Sequence, residues 1–428
     1  MCYAIPAKVI EIKKNIAVLD YFGERRNVVL DLPDIQIGDY VFAQGGILVR
    51  KVDEKEALAV LDTWKDLFFE LKEIDQQLAR PLQSEKLSGN ALAVLQKVNL
   101  KQALTKEDLL VLSALTDQKE LSVLYEVANQ VRQREHSNAS CVHGIIEFSN
   151  YCRGDCFYCG IRRERAIERY RMTEAEILAV TKQAIDEYGF KAIVLQSGED
   201  LYYDEDQLER LVKALRQLGI LIFLSIGVRP VATYKKLYAA GARAALMRFE
   251  TSNPAIFQQL RPNTTLDERL ALIRELKKIG YVLATGFLIG LPNEQPEDLV
   301  NNILLTKELE PEMYSFGPLI PTQDTPLVHA PTTSVDQVLK TIAIARLASP
   351  DANILVTTAL ETLSPEGKRQ ALLAGANSMM INLTPMQYRP LYSIYDNRAC
   401  NQQEVASNIQ ATVQLLRDLG RAPMDVGL

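Results

Sequence analysis

Three cysteines lie within eight residues in the segment Cys152-Arg-Gly-Asp-Cys156-Phe-Tyr-Cys159. Their spacing, Cys-x3-Cys-x2-Cys, supplies three thiolates for a metal centre and leaves no fourth thiolate nearby. A 4Fe–4S cluster has four irons, so three protein ligands leave one iron open to a small molecule. This arrangement allows a cluster to bind S-adenosylmethionine (SAM) and to pass it an electron. The spacing therefore predicts a 4Fe–4S cluster with SAM as the second cofactor.

Zinc is the main alternative for this segment, with His143 as a fourth ligand. Structural zinc sites usually combine two separated Cys-x2-Cys pairs, and the chain offers one such pair. A disulfide is disfavoured because a 428-residue chain with six cysteines and no predicted signal peptide is typical of a cytosolic protein. The spacing favours the iron–sulfur cluster over both alternatives.

The overall composition narrows the class of protein. A hydrophobic content of 47% can supply a large core, and 428 residues predict two or three domains. Charged residues or glycine interrupt every apolar run, so we expect no membrane span. The net charge of −6 and the lack of a long basic run argue against general nucleic-acid binding. We therefore expect a cytoplasmic protein that binds neither nucleic acid nor membrane.

Strand and helix signals alternate from Gly144 onward. Eight strand–helix units over about 260 residues are typical of a TIM-type (β/α)8 barrel in the α/β class, and a doubly wound open sheet is the alternative. The predicted strands are 145–148, 192–196, 221–225, 244–250, 283–289, 313–320, 354–358 and 378–382. Amphipathic stretches between them predict helices at 173–187, 206–218, 267–279 and 335–347.

Unusual polar residues and glycines fall at the predicted strand ends, where such a barrel places its chemistry. Glycines there would allow the backbone to approach a flat ligand. The residues are the cysteine segment after the first strand and, after later strands, Ser197-Gly-Glu-Asp200, Arg248, Glu250, Gly290, Thr357 and Thr358. Their recurrence on five strands is difficult to explain by structural roles alone.

The N-terminal part has the pattern of a small OB-like β-barrel closed by a helix. Short strand signals at 9–12, 16–19, 27–30 and 39–43 are separated by turn residues, and helical spacing follows from Asp53 to Leu67. Polar helical segments come next, one of them starting at the capping signal Thr105-x-x-Asp108 and another covering 121–135. We predict that they pack on the following domain, which gives domains at 1–75, 76–140 and 141–428.

The N-terminal module resembles the HypC family of small hydrogenase-maturation chaperones. The matching residues are Met1-Cys2-x-x-x-Pro6, Gly38-Asp39-Tyr40-Val41 and the helix from Asp53. In that family the cysteine at the second position holds an iron fragment with diatomic ligands, so the resemblance implies that Cys2 carries iron. An inert exposed thiol is the alternative, because reactivity requires an activating environment. A histidine often follows the Gly-Asp-Tyr-Val segment in the family, whereas this chain has Gln44.

Residues from about 90 to 400 resemble the HydE family of radical SAM maturases, which help to build the active-site cluster of FeFe hydrogenases. The matching motifs are 145–152, 156–163, 169–173, 194–200, 261–264, 317–321, 324–326 and 388–392, together with Tyr395. The resemblance implies reductive cleavage of SAM at the 4Fe–4S cluster to a 5′-deoxyadenosyl radical. The implied substrate is an iron–cysteine complex bearing carbon monoxide and cyanide.

The same resemblance implies roles for individual residues. Cys152, Cys156 and Cys159 would ligate the cluster. The residues around SAM would be Tyr158, Gly198, Glu199, Arg248, Glu250 and Arg269. Gly290 is predicted to join them because it is one of the strand-end glycines that would let the backbone approach a flat ligand. An inner substrate cavity would be lined by Gln196, Ser197, Thr357, Thr358, Tyr392 and Tyr395. Without the resemblance, a salt bridge for Arg269 and a core position for Tyr392 would be the simpler interpretations.

Several departures from the HydE pattern put the exact substrate in question. The family commonly has histidine at the position of Phe249, glutamate at that of Val228 and a histidine near Thr322. Some members carry a second cluster on three C-terminal cysteines, but only Cys400 remains here, so we expect no second cluster.

Other functions remain open from the sequence. One is a biotin-synthase-like or amino-acid-mutase-like radical enzyme, although biotin synthase needs a second cluster for which cysteines are lacking. Others are a HydE paralogue that serves another centre, such as that of NiFe hydrogenase, and a non-enzymatic iron scaffold. The expected partners are an iron-containing small molecule, an electron donor such as ferredoxin or flavodoxin, and other hydrogenase-maturation proteins.

Overall fold

The computed structural model describes residues 3–79, 89–399 and 401–423. Five strands at the N-terminus form a small closed barrel in the order β1-β2-β3-β5-β4. They are β1 (Ala7–Lys13), β2 (Ile16–Tyr21), β3 (Glu24–Val29), β4 (Tyr40–Gln44) and β5 (Ile47–Val52). The predicted small barrel is confirmed, with β5 as a strand that the sequence analysis missed.

The helix that follows the small barrel, α1 (Glu54–Leu78), is longer than predicted. Its N-terminus is capped by Asp53, whose carboxylate accepts hydrogen bonds from the backbone N–H groups of Lys55 and Glu56. Asp75 near its end is fully buried between two guanidinium groups, 2.7 Å from Arg132 and 2.8 Å from Arg421. This buried triad ties α1 to the connector and to the C-terminal segment.

The connector consists of α2 (Gly89–Asn99), α3 (Lys106–Ser113) and α4 (Gln118–His136). The predicted capping signal is a capping box, with the Thr105 side chain bound to the Asp108 N–H and the Asp108 side chain bound to the Thr105 N–H. The connector helices share one apolar core with the larger barrel. They therefore bury their apolar faces together with residues of that barrel.

Eight parallel strands form the larger barrel, in the order β14-β12-β10-β9-β8-β7-β6-β15. A bridge between Leu355 and Ser378 joins the two ends of this order and closes the barrel. The strands are β6 (Ala139–Ser149), β7 (Ala192–Ser197), β8 (Leu221–Ser225), β9 (Ala244–Leu246), β10 (Val282–Thr285), β12 (Met313–Tyr314), β14 (Asn353–Ile354) and β15 (Ser378–Asn382). The TIM-type prediction is confirmed, and the open-sheet alternative is wrong.

Two of the predicted strands are interrupted. The fifth continues, after a break at Gly286, as β11 (Leu288–Ile289), which pairs with β13 (Gly317–Pro318), the continuation of the sixth. The C-terminal strand β16 (Ala422–Pro423) pairs with the start of β6. The breaks in the fifth and sixth strands lie at the end of the barrel at which the strands finish.

Helices surround the barrel and cover its outer face. They are α5 (Glu174–Asp186), α6 (Glu205–Gln217), α7 (Val231–Ala240), α8 (Pro254–Leu260), α9 (Leu266–Ile279), α10 (Pro296–Glu308), α11 (Val335–Ala348), α12 (Thr358–Leu363), α13 (Gly367–Leu373) and α14 (Val405–Asp418), with a short 3-10 helix at Arg389–Leu391. Among the described residues, no helix combines the length and the hydropathy that a membrane crossing requires.

The small barrel lies against the end of the larger barrel at which the parallel strands begin. Asp31 of the small barrel forms ion pairs with Arg216 at 2.7 Å and with Arg243 at 2.9 Å. The ring of Phe42 packs under the ammonium group of Lys191 at 4.5 Å. The two barrels are therefore in direct contact, and the larger barrel has one covered end and one open end.

Candidate active site

A cavity of about 300 Å³ lies at the open end of the larger barrel. Nearly all of the site residues predicted from the sequence line it. They are Cys152, Cys156, Tyr158, Cys159, Gln196, Ser197, Gly198, Glu199, Arg248, Glu250, Arg269, Thr357, Thr358, Tyr392 and Tyr395. Two predicted residues are not among them: Gly290 lies elsewhere, and Cys2 lies outside the described residues.

The cysteine loop follows β6 and is held against the loop after β7. The Cys152 sulfur accepts hydrogen bonds from the backbone N–H groups of Gly154 and Glu199, each at 3.3 Å. A Cβ at Gly198 would lie 2.2 Å from the Tyr151 carbonyl oxygen, so only glycine allows the two loops to approach this closely. The position of the loop is therefore fixed by backbone contacts that the Ser-Gly-Glu sequence makes possible.

The three thiols suit a cluster better than a single metal ion. They line one cavity, and a Cβ at Gly154 would lie 3.4 Å from the Cys152 sulfur and 3.9 Å from the Cys156 sulfur. Burial raises the pKa of all three thiols, so the ligating thiolate form requires a nearby positive centre. Within 3–79, 89–399 and 401–423, no three His, Cys, Asp or Glu side chains are arranged to hold one metal ion. A cubane distributes its ligands over different irons, so this spacing fits it.

The zinc alternative required His143 as a ligand, and the structure places this residue elsewhere. His143 lies on β6 with an exposure of 1%, and its ring packs against Phe223 at a centroid distance of 5.0 Å. Ser149 at the open end lies six positions further along the strand, which corresponds to about 20 Å. His143 is therefore too far from the cysteine loop to complete a zinc site.

Glu199 is the centre of a charged cluster beside the thiols. Its carboxylate lies 3.3 Å from Arg153, 3.4 Å from Arg261 and 3.8 Å from Arg269. Room for its side chain depends on Gly227, where a Cβ would lie 2.2 Å from the Glu199 Cγ. Three guanidinium groups around the single Glu199 carboxylate leave excess positive charge in a largely buried place. This charge suits an anionic group of a ligand, such as a ligand carboxylate.

Arg269 has a buried N–H group that makes no hydrogen bond with the described residues. Its Nε donates to the Arg248 carbonyl oxygen at 2.8 Å, but its buried Nη1 makes no hydrogen bond with any described residue. Burial and the adjacent Arg261 lower the pKa of Arg269, because its positive charge is incompletely compensated. The ion pair that Arg269 does form is with Glu199 in the loop after β7, at 3.8 Å, and not with a residue of a neighbouring helix.

Glu250 holds the opposite side of the cavity. Its backbone has φ +70, in the left-handed region that residues with a Cβ rarely adopt. The Tyr158 hydroxyl donates to its Oε1 at 3.0 Å, and Arg248 Nε lies 3.3 Å from its Oε2. Strain of this kind persists where the surroundings impose it and is concentrated at functional sites.

The inner part of the cavity is lined by hydroxyl and amide groups. Burial and the nearby Glu147 raise the pKa of Tyr392, which therefore stays a neutral hydrogen-bond donor. Ser225 lies 3.5 Å from the Gln196 amide oxygen. The buried Thr357 hydroxyl has no hydrogen-bond partner among the residues described. These groups can bind a polar molecule that enters the cavity.

Sequence reasoning missed a buried ion pair at the cavity wall. Glu147 is completely buried, lies 2.6 Å from Arg398 and accepts a hydrogen bond from Asn382 at 2.8 Å. Arg398 and Asn382 both line the cavity. The available signal was the single charged residue in the apolar strand Ile145-Ile-Glu-Phe148. Arg261 was also missed as a site residue, although its motif was recognised.

Gly290 and most of the departures from the family pattern lie away from the cavity. The Gly290 N–H donates to the Glu294 carboxylate at 2.7 Å, and its φ of +81 serves a turn after β11. Phe249 is buried against Phe287 in the outer core. The Thr322 hydroxyl donates to the Ile320 carbonyl within its own loop. The substitutions at 249 and 322 therefore leave the cavity lining unchanged.

Comparison with protein families divides the chain into three matched regions. Residues 1–64 match the HupF/HypC family, residues 146–306 the Radical SAM superfamily, and residues 315–420 the Biotin and Thiamin Synthesis associated domain. The third match covers the last strands of the barrel and much of the C-terminal segment.

Individual relatives match about three quarters or more of the chain. The chain is 38% identical to the [FeFe] hydrogenase maturase subunit HydE of Thermotoga maritima over 77% of this chain and 94% of that protein. It is 31% identical to 3-methylornithine synthase of Methanosarcina acetivorans, over 75% and 90% respectively. The crystal structure of methylornithine synthase (PylB) superimposes with a TM-score of 0.69 at 28% identity, covering 77% of this chain and 97% of that one. The FeFe-hydrogenase maturase HydG from Carboxydothermus hydrogenoformans shares the fold, with a TM-score of 0.66 at 19% identity, covering 84% of each chain.

Proposed function

The chain belongs to the HydE family of radical SAM proteins and carries a HypC-family domain, and on that premise we propose that it is a hydrogenase maturase acting on an iron–cysteine complex with carbon monoxide and cyanide ligands. Both resemblances expected from the sequence motifs are confirmed. The substrate and the roles of individual residues are the proposal.

In this proposal Cys152, Cys156 and Cys159 hold the 4Fe–4S cluster, and SAM occupies the adjoining part of the cavity. Bound there, the two cofactors supply reductive cleavage of a sulfonium C–S bond and hence a carbon radical. The convergence of the thiols and the N–H groups directed at the Cys152 sulfur support this assignment.

The charged residues bind and orient SAM. The Glu199 carboxylate accepts hydrogen bonds from the amino group of SAM. Arg269 Nη1, which makes no hydrogen bond with the described residues, donates to the carboxylate of SAM. Arg248 and Glu250 bind the ribose and carboxylate region, while the backbone at Tyr158 meets the adenine. Gly198 keeps this wall close to the cysteine loop. Together these residues would fix the orientation of SAM beside the inner cavity.

The inner cavity binds the iron complex and excludes water. Cyanide nitrogen and the cysteine carboxylate are hydrogen-bond acceptors, which Thr357, Tyr392 and the Gln196 amide can serve. Ser197, Thr358 and Tyr395 complete the polar lining. Exclusion of water protects a reactive radical from side reactions.

The observation that carries this proposal is the set of buried polar groups beside the thiols that make no hydrogen bond. Arg269 Nη1, Glu250 Oε2 and Thr357 Oγ1 are all buried without a hydrogen bond to the described part of the chain. Buried polar groups are costly when unpaired, so they indicate a polar ligand.

Anaerobic reconstitution tests the proposal in two stages. With iron, sulfide, SAM and dithionite, the full chain should form 5′-deoxyadenosine; its absence above background would exclude a radical enzyme and leave an iron scaffold. A synthetic iron–cysteine complex with carbon monoxide and cyanide ligands should then be consumed in a SAM-dependent way, followed by infrared bands of the diatomic ligands. Formation of 5′-deoxyadenosine without consumption of any such complex would reject the substrate.

An amino-acid rearrangement is the second candidate, because the chain is also 31% identical to a 3-methylornithine synthase. The product named there is an isomer of lysine, so lysine is the matching probe. SAM-dependent conversion of lysine into 3-methylornithine, detected by mass spectrometry, would favour this function over the first.

The HypC-family domain supports a link with other maturation proteins. We propose that Cys2 carries iron for the enzyme and that ferredoxin or flavodoxin supplies electrons. In the full chain, Cys2→Ser should lower the iron bound outside the cluster and slow consumption of the iron complex, with 5′-deoxyadenosine formation unchanged. An unchanged rate and iron content would mean that Cys2 is inert. If the protein delivers its product to a NiFe hydrogenase, it should activate the apoenzyme of that hydrogenase and not a FeFe apoenzyme.

A further inference from the structure

The β4–β5 hairpin of the small barrel covers the end of the larger barrel opposite the cysteine loop. Its outward-facing side chains Ile47 and Val49 form one buried apolar cluster with residues at the beginning of the barrel strands. A Cβ at Gly45, in the hairpin turn, would lie 3.2 Å from Leu221. The strand residues in this cluster are Ile145, Ala192, Val194, Leu221, Phe223 and Ala244.

The same apolar cluster extends from the covered end of the barrel to the cavity. Ile145 belongs to the cluster and also lines the cavity, and Met380 lines the cavity and packs against the cluster. The hairpin and the cavity are therefore connected through one continuous apolar cluster. In a close-packed interior, displacement of one such layer shifts the next.

Polar contacts also join the small barrel to the larger one. Asp31 binds both Arg216 and Arg243, and Lys191 lies over the Phe42 ring at 4.5 Å. All three barrel residues lie near the beginning of a strand or on a helix that precedes one. Contacts of Asp31 and Phe42 with charged side chains thus accompany the apolar contacts of Ile47 and Val49 between the two barrels.

We propose that the HypC-family domain forms the floor of the reaction cavity, with Ile47 as a positioning residue that supports Ile145 and Met380. The inference rests on the proposed function only in taking this cavity as the reaction chamber. A supported floor fixes the depth at which a substrate lies and keeps water from entering below it. Loss of support should leave SAM binding intact and reduce the coupling between radical formation and substrate conversion.

The native thiol of Cys141 reports on the contact between the two barrels. It is 2% exposed at the beginning of β6 and packs in the core of the small barrel. In the full-length protein, Ile47→Asp should raise the rate of Cys141 alkylation by N-ethylmaleimide at least about tenfold, because a buried carboxylate disfavours the closed state. The matched control is Ile37→Asp, the same substitution at a position 64% exposed in the same domain, which should leave the rate unchanged.

Amide hydrogen exchange tests whether the hairpin supports the floor. Exchange in 192–197 and 221–225 should accelerate at least about tenfold in Ile47→Asp but not in Ile37→Asp. Unchanged alkylation of Cys141 would show that the hairpin does not cover this end. Faster alkylation with wild-type exchange in these strands would show that it covers the end without supporting the floor. Either result overturns the proposal.

The milder variant Ile47→Ala tests positioning during turnover. With the synthetic iron–cysteine complex, the ratio of 5′-deoxyadenosine formed to complex consumed should rise about threefold, and the KM for SAM should stay unchanged. A wild-type ratio would refute a positioning role. If the wild-type protein consumes no complex, the proposed substrate fails, and the alkylation and exchange experiments still decide whether the floor exists.

Discussion

The two ends of the larger barrel differ in the surroundings of their buried side chains. At the open end, Arg269, Glu250 and Thr357 keep buried polar atoms without hydrogen bonds, and all three residues line an open cavity. At the covered end, Ile47 and Val49 bury the apolar beginnings of the strands, and Asp31 has two guanidinium partners. The open end therefore has the character of a binding site, and the covered end that of a permanent interface. Substitutions at the two ends should affect different properties of the protein.

The largest effect is expected from loss of a cluster ligand at the open end. Cys156→Ser should lower 5′-deoxyadenosine formation by at least about a thousandfold, because a hydroxyl is a poor ligand for iron–sulfur clusters. Iron content and the low-temperature EPR signal of the reduced protein should fall with it. The control Cys141→Ser removes a buried thiol at the covered end and should keep the EPR signal; a loss there would contradict the separation of the two ends.

A smaller effect is expected from Arg269→Gln in the charged cluster. Loss of a charge-assisted contact to SAM should raise the KM for SAM about tenfold to a hundredfold, corresponding to roughly 1.5–3 kcal/mol. Titration of SAM against the EPR signal of the cluster measures this change in binding. Arg274→Gln alters a half-exposed arginine on the same helix and should behave as wild type. Equal effects of the two substitutions would assign Arg269 a structural role only.

At the covered end, Asp31→Asn should weaken the contact between the two barrels without affecting SAM binding. Two partly buried ion pairs would be weakened, and we expect a loss of about 1–2 kcal/mol in docking, which is close to a tenfold increase in Cys141 alkylation. Asp62→Asn on the exposed side of α1 is the matched control. A change in SAM binding in Asp31→Asn would mean that the two ends are not independent.

The smallest effect is expected at Gln44, which lies opposite Ile47 in the β4–β5 ladder. Its side chain is completely buried, and neither amide atom has a hydrogen-bond partner in the described ranges. Gln44→Leu should therefore stabilise the protein by about 1 kcal/mol, seen as a higher thermal unfolding midpoint. Gln36→Leu, at an exposed turn position, should not do so. A lower midpoint for Gln44→Leu would reveal a polar occupant between the two barrels.

Much of the fold was predictable because its signals are local. The eight strands of the larger barrel, the capping box at Thr105 and the four predicted strands of the small barrel follow from short-range patterns. Strand β5 was missed even though Gly45-Gly46, followed by Ile47-Leu-Val, is a signal for a two-residue hairpin. The later barrel strands were predicted too long, because apolar composition does not show where pairing stops and β11 or β13 begins.

The candidate site was predictable to the extent that it depends on sequence motifs. The cysteine spacing and the polar strand ends indicated residues that do line one cavity. Glu147 and Arg398 were missed because their contact joins positions 251 residues apart, and no local pattern signals such a pair. Gly290 was placed at the site on its residue type alone, whereas its positive φ serves a turn.

The amino-acid sequence by itself determined the three-cysteine ligand set and the families that the two parts of the chain resemble. It could do so because ligand spacing and turn residues involve only a few neighbouring positions. Only the tertiary structure decided how the two parts meet. No local sequence pattern marks Asp31, Ile47 or Gln44. Their roles arise because folding packs the small barrel against strands that lie about 100 to 200 residues later in the chain. Contacts over such distances depend on the packing of whole domains, which a linear pattern does not encode.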